Sequence, residues 1–277
     1  MNINAEIKWT DKQLKALEKK INAEYTKAYK ECKEEMQKLM VKMQDPTLTP
    51  HQRMLIATKH DRLDDLCNQM AGILRDAGGS AERFIGSNSQ NIFKTIYNSN
   101  ASDYGFSLLD NTAIRNILTE QVNPFSKIAF SNIKDKTAIV NKLKSELTTA
   151  LLKGESIPKI ARRLKSVAEG QLSNTIRIAR TETTRVQNSA HQETANESAR
   201  QGFNVWKKWV AMDEDRTRDE HREMLKEDPI PYDEPFIVGG EEMMYPGDTS
   251  LGASAWNVIN CRCVMVEVIK DKAGNNI

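Results

Sequence analysis

The stretch A-R-Q-G-F-N-V-W-K-K-W-V-A at residues 199–211 decides the fold. Before it, a helical pattern runs from about 172 to 201, and Gly202 ends it in the position where a glycine commonly closes a helix. After it the period changes. Residues 203–211 read as a strand, although the spacing of Trp206 and Trp209 breaks strict alternation. The chain returns to a strand at V-M-V-E-V-I, residues 264–269, by β-branched content. Between the two lie a short helix over 215–226, the Gly239-Gly240 pair, and a loop holding Gly247 and Gly252. Asp215 and Thr217 are candidate caps of that helix, with Asp219 and Glu220 in its first turns. A small C-terminal α+β unit therefore follows a mainly helical body, and the fold class is α+β.

Working back toward the N-terminus, residues 5–44 predict one long helix. Its apolar positions are Leu14, Leu17, Ile21, Tyr25, Ala28, Cys32, Met36, Leu39 and Met43. They repeat every eleven residues, so the stripe runs nearly straight along the helix. Asp45-Pro46 and Thr49-Pro50 break it. A second amphipathic helix to about Arg75, carrying Leu55, Leu63, Leu66, Met70 and Leu74, completes an N-terminal helical hairpin. The stripe packs either in the chain's own core or on a partner. D-A-G-G-S and G-S-N-S-Q read as turns, and N-S-N-A-S-D-Y-G-F as an irregular loop, which puts a boundary near Gly78-Gly79.

Helices resume at about 111–122 and 132–153, the latter with Ile139, Leu143, Leu147 and Leu151 and a stop at Gly154. Ser156 caps the next, with Pro158 in its first turn, and that helix ends near Gly170. The expected organisation is 1–78 as a hairpin or arm, 79–137 as a connector, and 138–277 as the C-terminal domain.

Composition narrows the function classes. The chain has 277 residues, 28% of them charged, with 40 basic and 38 acidic residues for a net charge of +2. Mean hydropathy is −0.59 and no window of ~18 apolar residues occurs, so a soluble chain with no membrane partner is expected. M-N-I-N-A-E-I-K-W lacks a signal-peptide core, so a cytosolic start is expected. Near-neutral charge argues against DNA as the main partner.

Three clusters carry what chemistry there is. In A-R-T-E-T-T-R, residues 179–185, Arg177, Thr181, Thr184, Asn188 and His191 share a helix face, Arg180 neighbours Thr184, and Glu182 neighbours Arg185. That face is either a solvated polar surface or a buried network reaching the C-terminal unit. D-E-D-R-T-R-D-E-H, residues 213–221, crowds Asp213, Asp215, Arg216, Arg218 and His221 together. His221 as a general base finds no nucleophile in a motif context and no phosphate loop, so no enzyme is expected. N-C-R-C, residues 260–263, brings Asn260, Cys261, Arg262 and Cys263. A cytosolic C-x-C is a metal-ligand fragment or a packed thiol pair rather than a disulfide. With His221 it makes three zinc-type ligands where structural zinc wants four, and His51, His60 and His191 lack motif spacing, so no cofactor is expected. The run G-E-S-I-P-K-I-A-R-R-L-K at 154–165 has the outline of half a DNA-binding helix-turn-helix or of an ordinary helical turn.

These three motifs in this order, with L-L-K-G-E-S-I-P-K-I-A and P-G-D at 246–248, resemble the phage Mu F-like minor head proteins over about residues 138–268. The resemblance implies a component of a tailed-phage head that binds portal, capsid or scaffold proteins in head morphogenesis, is in the virion, and in some cases leaves with the DNA. Assembly would take place in the host cytoplasm. It also implies a zinc site in many members, built from a C-x-x-C and a terminal His-Pro-Asn-Cys-Arg-Cys. Here Arg218 and His221 occupy the C-x-x-C positions and Val258 that of the last His. Arg218 and Val258 are not ligands, and the resemblance implies polar contacts from Arg216, Arg218 and His221 in place of the metal. The long N-terminal stripe is the expected docking element. The rival readings are an effector enzyme, nuclease or ADP-ribosyltransferase-like, and a DNA-binding packaging or ejection protein. With the last strand ending at Ile269, no appended catalytic domain is expected.

Overall fold

The computed structural model describes residues 2–43, 47, 49, 60–120, 123–153, 155, 157–212 and 214–271, and of 39–43, 60–63, 120, 151, 152 and 157 the backbone alone. In chain order the elements are helices α1 (Ile3–Met43), α2 (His60–Tyr104), α3 (Asn111–Glu120), α4 (Pro124–Lys134), α5 (Lys136–Leu152) and α6 (Ile157–Arg200), then strand β1 (Asn204–Val210), helix α7 (Asp219–Glu223), strands β2 (Ile230–Pro231), β3 (Phe236–Val238) and β4 (Glu241–Met243), helix α8 (Ala255–Val258) and strand β5 (Val264–Lys270). The helical body and small C-terminal sheet unit expected from sequence are both present.

Two compact units are drawn from discontinuous segments. One is Met1–Leu17, Ile85–Lys127 and Arg177–Ile277; the other is Glu18–Phe84 and Ile128–Ile176. Helices α1, α2, α4 and α6 contribute residues to both.

The all-helical unit is an apolar core. Leu17 at the end of the first unit's α1 segment, and Ile21, Tyr25, Ala28, Cys32 and Met36 in this one, are all buried, as the eleven-residue repeat predicts. Facing them on α2 are Leu66, Cys67, Met70 and Leu74, and the Cys32 thiol donates to the Met70 carbonyl at 3.8 Å. From Leu17 to Met36 the stripe is therefore spent in the chain's own core rather than offered as a docking surface. Each such side chain contributes roughly 1.5–3 kcal/mol by leaving water. The proline turn, Leu55, the surroundings of Leu39, Met43, Leu63 and Leu151, and Gly154 and Ser156 all lie outside what is described.

Three expectations are corrected here. The second helix does not stop at Arg75, and no boundary falls at Gly78-Gly79, because α2 runs unbroken to Tyr104. Glycine in a helix costs only about 1 kcal/mol. Burial of Ala77, Ala81, Ile85, Ile92, Phe93, Ile96, Tyr97 and Ala101 along its length offsets that. At Gly78 the lack of a side chain is used: a Cβ there would lie 3.0 Å from the Ile133 carbonyl oxygen. The real stop is Gly105, at φ 75°, where its N–H bonds to Ser102 O and that of Phe106 to Ala101 O. Second, 111–122 and 132–153 resolve into α3, α4 and α5, with Asp135 capping α5 through Ala138 N–H at 3.0 Å. Third, the helix expected to end near Gly170 continues to Arg200 as α6. That removes the short recognition helix a helix-turn-helix needs. Arg163 in that run is held by Glu155, at 2.7 Å through two nitrogens, and by Glu146 at 2.8 Å.

In the other unit, β2-β1-β5 form an antiparallel sheet with Trp206 opposite Val268 and Val210 opposite Val264. Alternation along β1 is strict after all. Val205, Lys207 and Trp209 point inward, and Trp206 points outward beneath Lys270, whose Nζ is 3.4 Å from the ring centroid. The reading failed because a lysine takes an inward position. Strands β3 and β4 form a hairpin whose turn residues, Gly239 and Gly240, have φ of 59° and 80°. The core here is Trp209, Met224, Phe236, Val238, Met243, Tyr245, Val258, Cys261, Cys263 and Met265. Among the described residues, no helix is long and apolar enough to cross a membrane.

Candidate functional site

The second half of α6 is the centre of the site. From Thr181 to Gln192 every residue is buried, and most are polar. Buried polar groups must find partners, and Thr181, Thr184 and Asn188 find them on the C-terminal unit. The Thr184 hydroxyl donates to the Cys261 carbonyl, and the Thr181 hydroxyl accepts from Asn260 N–H at 3.2 Å. Asn188 uses its whole amide: Nδ2 donates to Thr184 O, Pro246 O and Cys263 O at 2.9, 3.1 and 2.9 Å, and Oδ1 accepts from Met265 N–H at 2.6 Å. Asn260 takes φ 58°, a left-handed conformation that asparagine tolerates. The face is thus a buried network rather than a solvated surface.

P-G-D closes on the same helix. Gly247 sits at φ 91°, and a Cβ on it would come 3.2 Å from Arg185 Cα. The next residue, Asp248, accepts from Met244 N–H, Ser250 N–H and Ser250 Oγ at 2.8–2.9 Å. Arg185 and Glu182 pair on the helix at 2.9 Å, both almost fully buried. Arg180 is exposed.

One turn beyond Asn188, His191 is held between two carboxylates, Glu6 at 2.7 Å from Nε2 and Glu267 at 3.0 Å from Nδ1. Gln187 donates to the same Glu6 at 2.9 Å. Burial alone would push the imidazole pKa down, but Glu267 and Glu6 outweigh it and raise it to about 10. Burial likewise works against the charged Glu6, and the His191 contact lowers its pKa below the usual value nonetheless. Arg262 makes a second tie of this kind, to Asp11 at 2.8 and 3.0 Å and to Glu214.

The 213–221 cluster is mostly at the surface. Asp215 is exposed, Arg216 pairs with Glu214 at 2.9 Å, and Asp213 lies outside the described residues. The expected capping is corrected: α7 starts after Arg218 with no side-chain cap, and the Thr217 hydroxyl instead donates to Met212 O at 2.6 Å. Arg218 donates to the Ile259 carbonyl at 2.7 Å and its guanidinium lies 5.1 Å from the Trp256 ring centroid. His221 is buried, with Nδ1 3.4 Å from Cys263 Sγ and 3.5 Å from Cys261 Sγ. The two thiols share a hydrogen bond that holds Cys263 below the ordinary thiol range and, with burial, pushes Cys261 above it.

Among the described residues, the His, Cys, Asp and Glu side chains that converge here are three, one short of the four protein ligands of a structural zinc site, and Val258, in the position the resemblance gives to a fourth ligand, is core. The sequence also missed several members of the network. Glu6 and Glu267 are far from His191 in the chain, Lys207 is a strand residue whose charge is fully buried, and Asn257 donates to Val238 O and to Glu241.

A helix knitted by threonine and asparagine to a Cys-Arg-Cys strand and a Pro-Gly-Asp turn is the arrangement the motifs implied. Residues 141–266 match the Phage Mu protein F like family. That is the family to which the three motifs pointed, and the matched segment contains all of them. Among curated proteins, the minor head protein GP7 of Bacillus phage SPP1 is 29% identical over 151 residues, 53% of this chain and 47% of that protein. NAD(+)--arginine ADP-ribosyltransferase EFV of Enterococcus faecalis (strain ATCC 700802 / V583) is 31% identical over 136 residues, 49% of this chain and 27% of that protein. The chain thus spans about half the length of one relative and about a quarter of the other. No solved structure matches it.

Proposed function

We propose that this chain is a minor head protein of a tailed phage or prophage that works by binding in head morphogenesis, with the virion as its destination and the host cytoplasm as the place of assembly. The observation that carries the reading is the Mu F-like match over 141–266 together with the likeness to a phage minor head protein. The site geometry supports it, because the signature residues are turned inward to hold one helix against one strand, and the polar cluster at 213–221 is bound up in local pairs. The partners are portal, capsid or scaffold proteins. With the α1 stripe buried, the partner surface lies on the exposed faces of the two units. Co-expression with the portal, capsid and scaffold proteins of the same genome tests this. Co-purification with an assembled portal or procapsid is the expected result, and a chain that fractionates apart from all three overturns it.

The ADP-ribosyltransferase relative favours a second reading, an effector enzyme. Incubation with labelled NAD and an arginine-bearing acceptor separates the two. No transfer is expected from the chain, and transfer that a His221→Ala variant loses would replace the binding reading with the enzymatic one.

A further inference from the structure

Three arginines line one cavity of about 330 Å³, and they are not equally answered by anions. Among the described residues, Glu214 is the one carboxylate of that lining, and it is held by Arg216 at 2.9 Å and by Arg262. Arg262 is held again by Asp11 at 2.8 Å. Arg218 differs. Among the described residues no carboxylate pairs with it, and its hydrogen bond goes to a neutral group, the Ile259 carbonyl, at 2.7 Å. A guanidinium carries five N–H donors in a planar fork, so most of this one is uncommitted. His221 lines the cavity too, but its ring nitrogens are occupied: Nδ1 faces the two sulfurs, and Nε2 meets Asn257 Oδ1 at 3.3 Å. Arg218 is therefore the cation open to an anion from outside.

What stands beside it narrows the anion. The guanidinium lies 5.1 Å from the centroid of the Trp256 ring, which steadies it. Trp256 is itself 64% exposed, the most exposed of the large hydrophobic side chains described. Covering such a ring favours association in proportion to the area removed from water. Tryptophan and arginine are also the residue types that carry most of the energy of protein interfaces. The cavity is at the small end of binding pockets, a size for a side chain rather than a whole cofactor. A nucleic-acid backbone suits it poorly, because a run of phosphates needs several open cations and the lining offers one, with a carboxylate in the same wall.

We propose that the cavity bounded by Arg218 and Trp256 is a docking site for a protein segment that presents a carboxylate side chain beside an apolar one. The carboxylate takes the free donors of Arg218, and the apolar side chain covers Trp256. The inference rests on the chemistry of this surface and not on the head-assembly reading.

The test is an NMR titration of the full chain with a blocked tetrapeptide of sequence Glu-Leu-Asp-Leu, read at the Trp256 indole N–H, which a Trp256→Phe variant assigns. The Gln-Leu-Asn-Leu peptide and a single-stranded oligonucleotide are run beside it. The acidic peptide is expected to bind roughly 10–100-fold more tightly than its amide counterpart, as a charge-assisted hydrogen bond does. Arg218→Gln should erase that preference. Glu214→Gln, which removes the competing carboxylate, should tighten the acidic peptide, a gain that a misfolded variant does not give. Equal affinity for the two peptides, no shift of the Trp256 resonance with either, or Glu214→Gln binding no more tightly would each overturn the proposal. So would an oligonucleotide that binds more tightly than the acidic peptide and is released steeply by salt, which would assign the cavity to phosphate.

Discussion

Helix α6 is two different objects end to end. Over 157–176 it buries Ile160, Leu164, Val167 and Ala168 as an ordinary apolar stripe. Over 181–192 it is buried on every side, mostly through Thr, Asn, Gln, Ser and His. The first half is held by a force that is nearly proportional to area and indifferent to direction. The second is held by hydrogen bonds that fail when an atom moves by half an ångström. A motif recognisable across distant sequences belongs in the second kind of interior, because few side chains substitute for a fully used amide.

Near-isosteric exchanges in the two halves sharpen or break that contrast. The largest expected effect is Asn188→Asp, which turns the Nδ2 donor toward three carbonyls into an acceptor. Several buried groups lose partners at about 1–3 kcal/mol each, so a loss of at least ~3 kcal/mol in denaturant unfolding is expected. Leu164→Met, by comparison, should cost less than about 1.5 kcal/mol. Equal costs would erase the distinction between the halves.

In the polar half, alkaline pH should act through His191. His191 has its pKa raised to about 10 from an ordinary 6.5, so its contribution is fully present below about pH 6.5 and is lost as pH rises through 10. Glu6, lowered from 4.5, contributes above its ordinary value and loses that contribution as pH falls through its depressed pKa. Thermal melts from pH 6 to pH 10.5 should show a decline on the order of a few kcal/mol that His191→Gln flattens. A wild-type curve parallel to the variant's would sink the assignment.

Gly247→Ala is expected to cost about 1–3 kcal/mol through its left-handed backbone and the contact with Arg185. The smallest effect belongs to Arg163→Ala, whose pairs with Glu155 and Glu146 are partly solvated, so little or no shift is expected. Both are read from urea midpoints.

What was legible in the sequence follows the same division. The α1 stripe is written in local periodicity, β5 in β-branched content and the end of α6 in Gly202, and such local signals are what a sequence displays. Helix α2 was truncated in the reading because Gly78-Gly79 looks like a turn until Ile133 is seen against it. The polar half of α6 left a solvated face and a buried network both open, because Thr, Asn and Gln give no sign of their partners. His191 needs Glu6 and Glu267, and nothing near it in the chain names either. The sulfur cluster lay between: Cys261, Cys263 and His221 were visible as a set, while Asn257, which orients the imidazole, was not.

The tie between Arg262 and Asp11 joins residues 251 positions apart, and His191 gathers Glu6 and Glu267 into one pocket. On the ribosome the first helix is made long before either partner exists. The α1 segment up to Leu17 must therefore wait, with Glu6 and Asp11 in water, until nearly all of the chain has been synthesised. Contacts of such sequence separation form slowly because the intervening loop must first be closed. The helical unit of Glu18–Phe84 and Ile128–Ile176 has all its residues by position 176, so the order of maturation is set by the order of synthesis: apolar core first, stitched signature last.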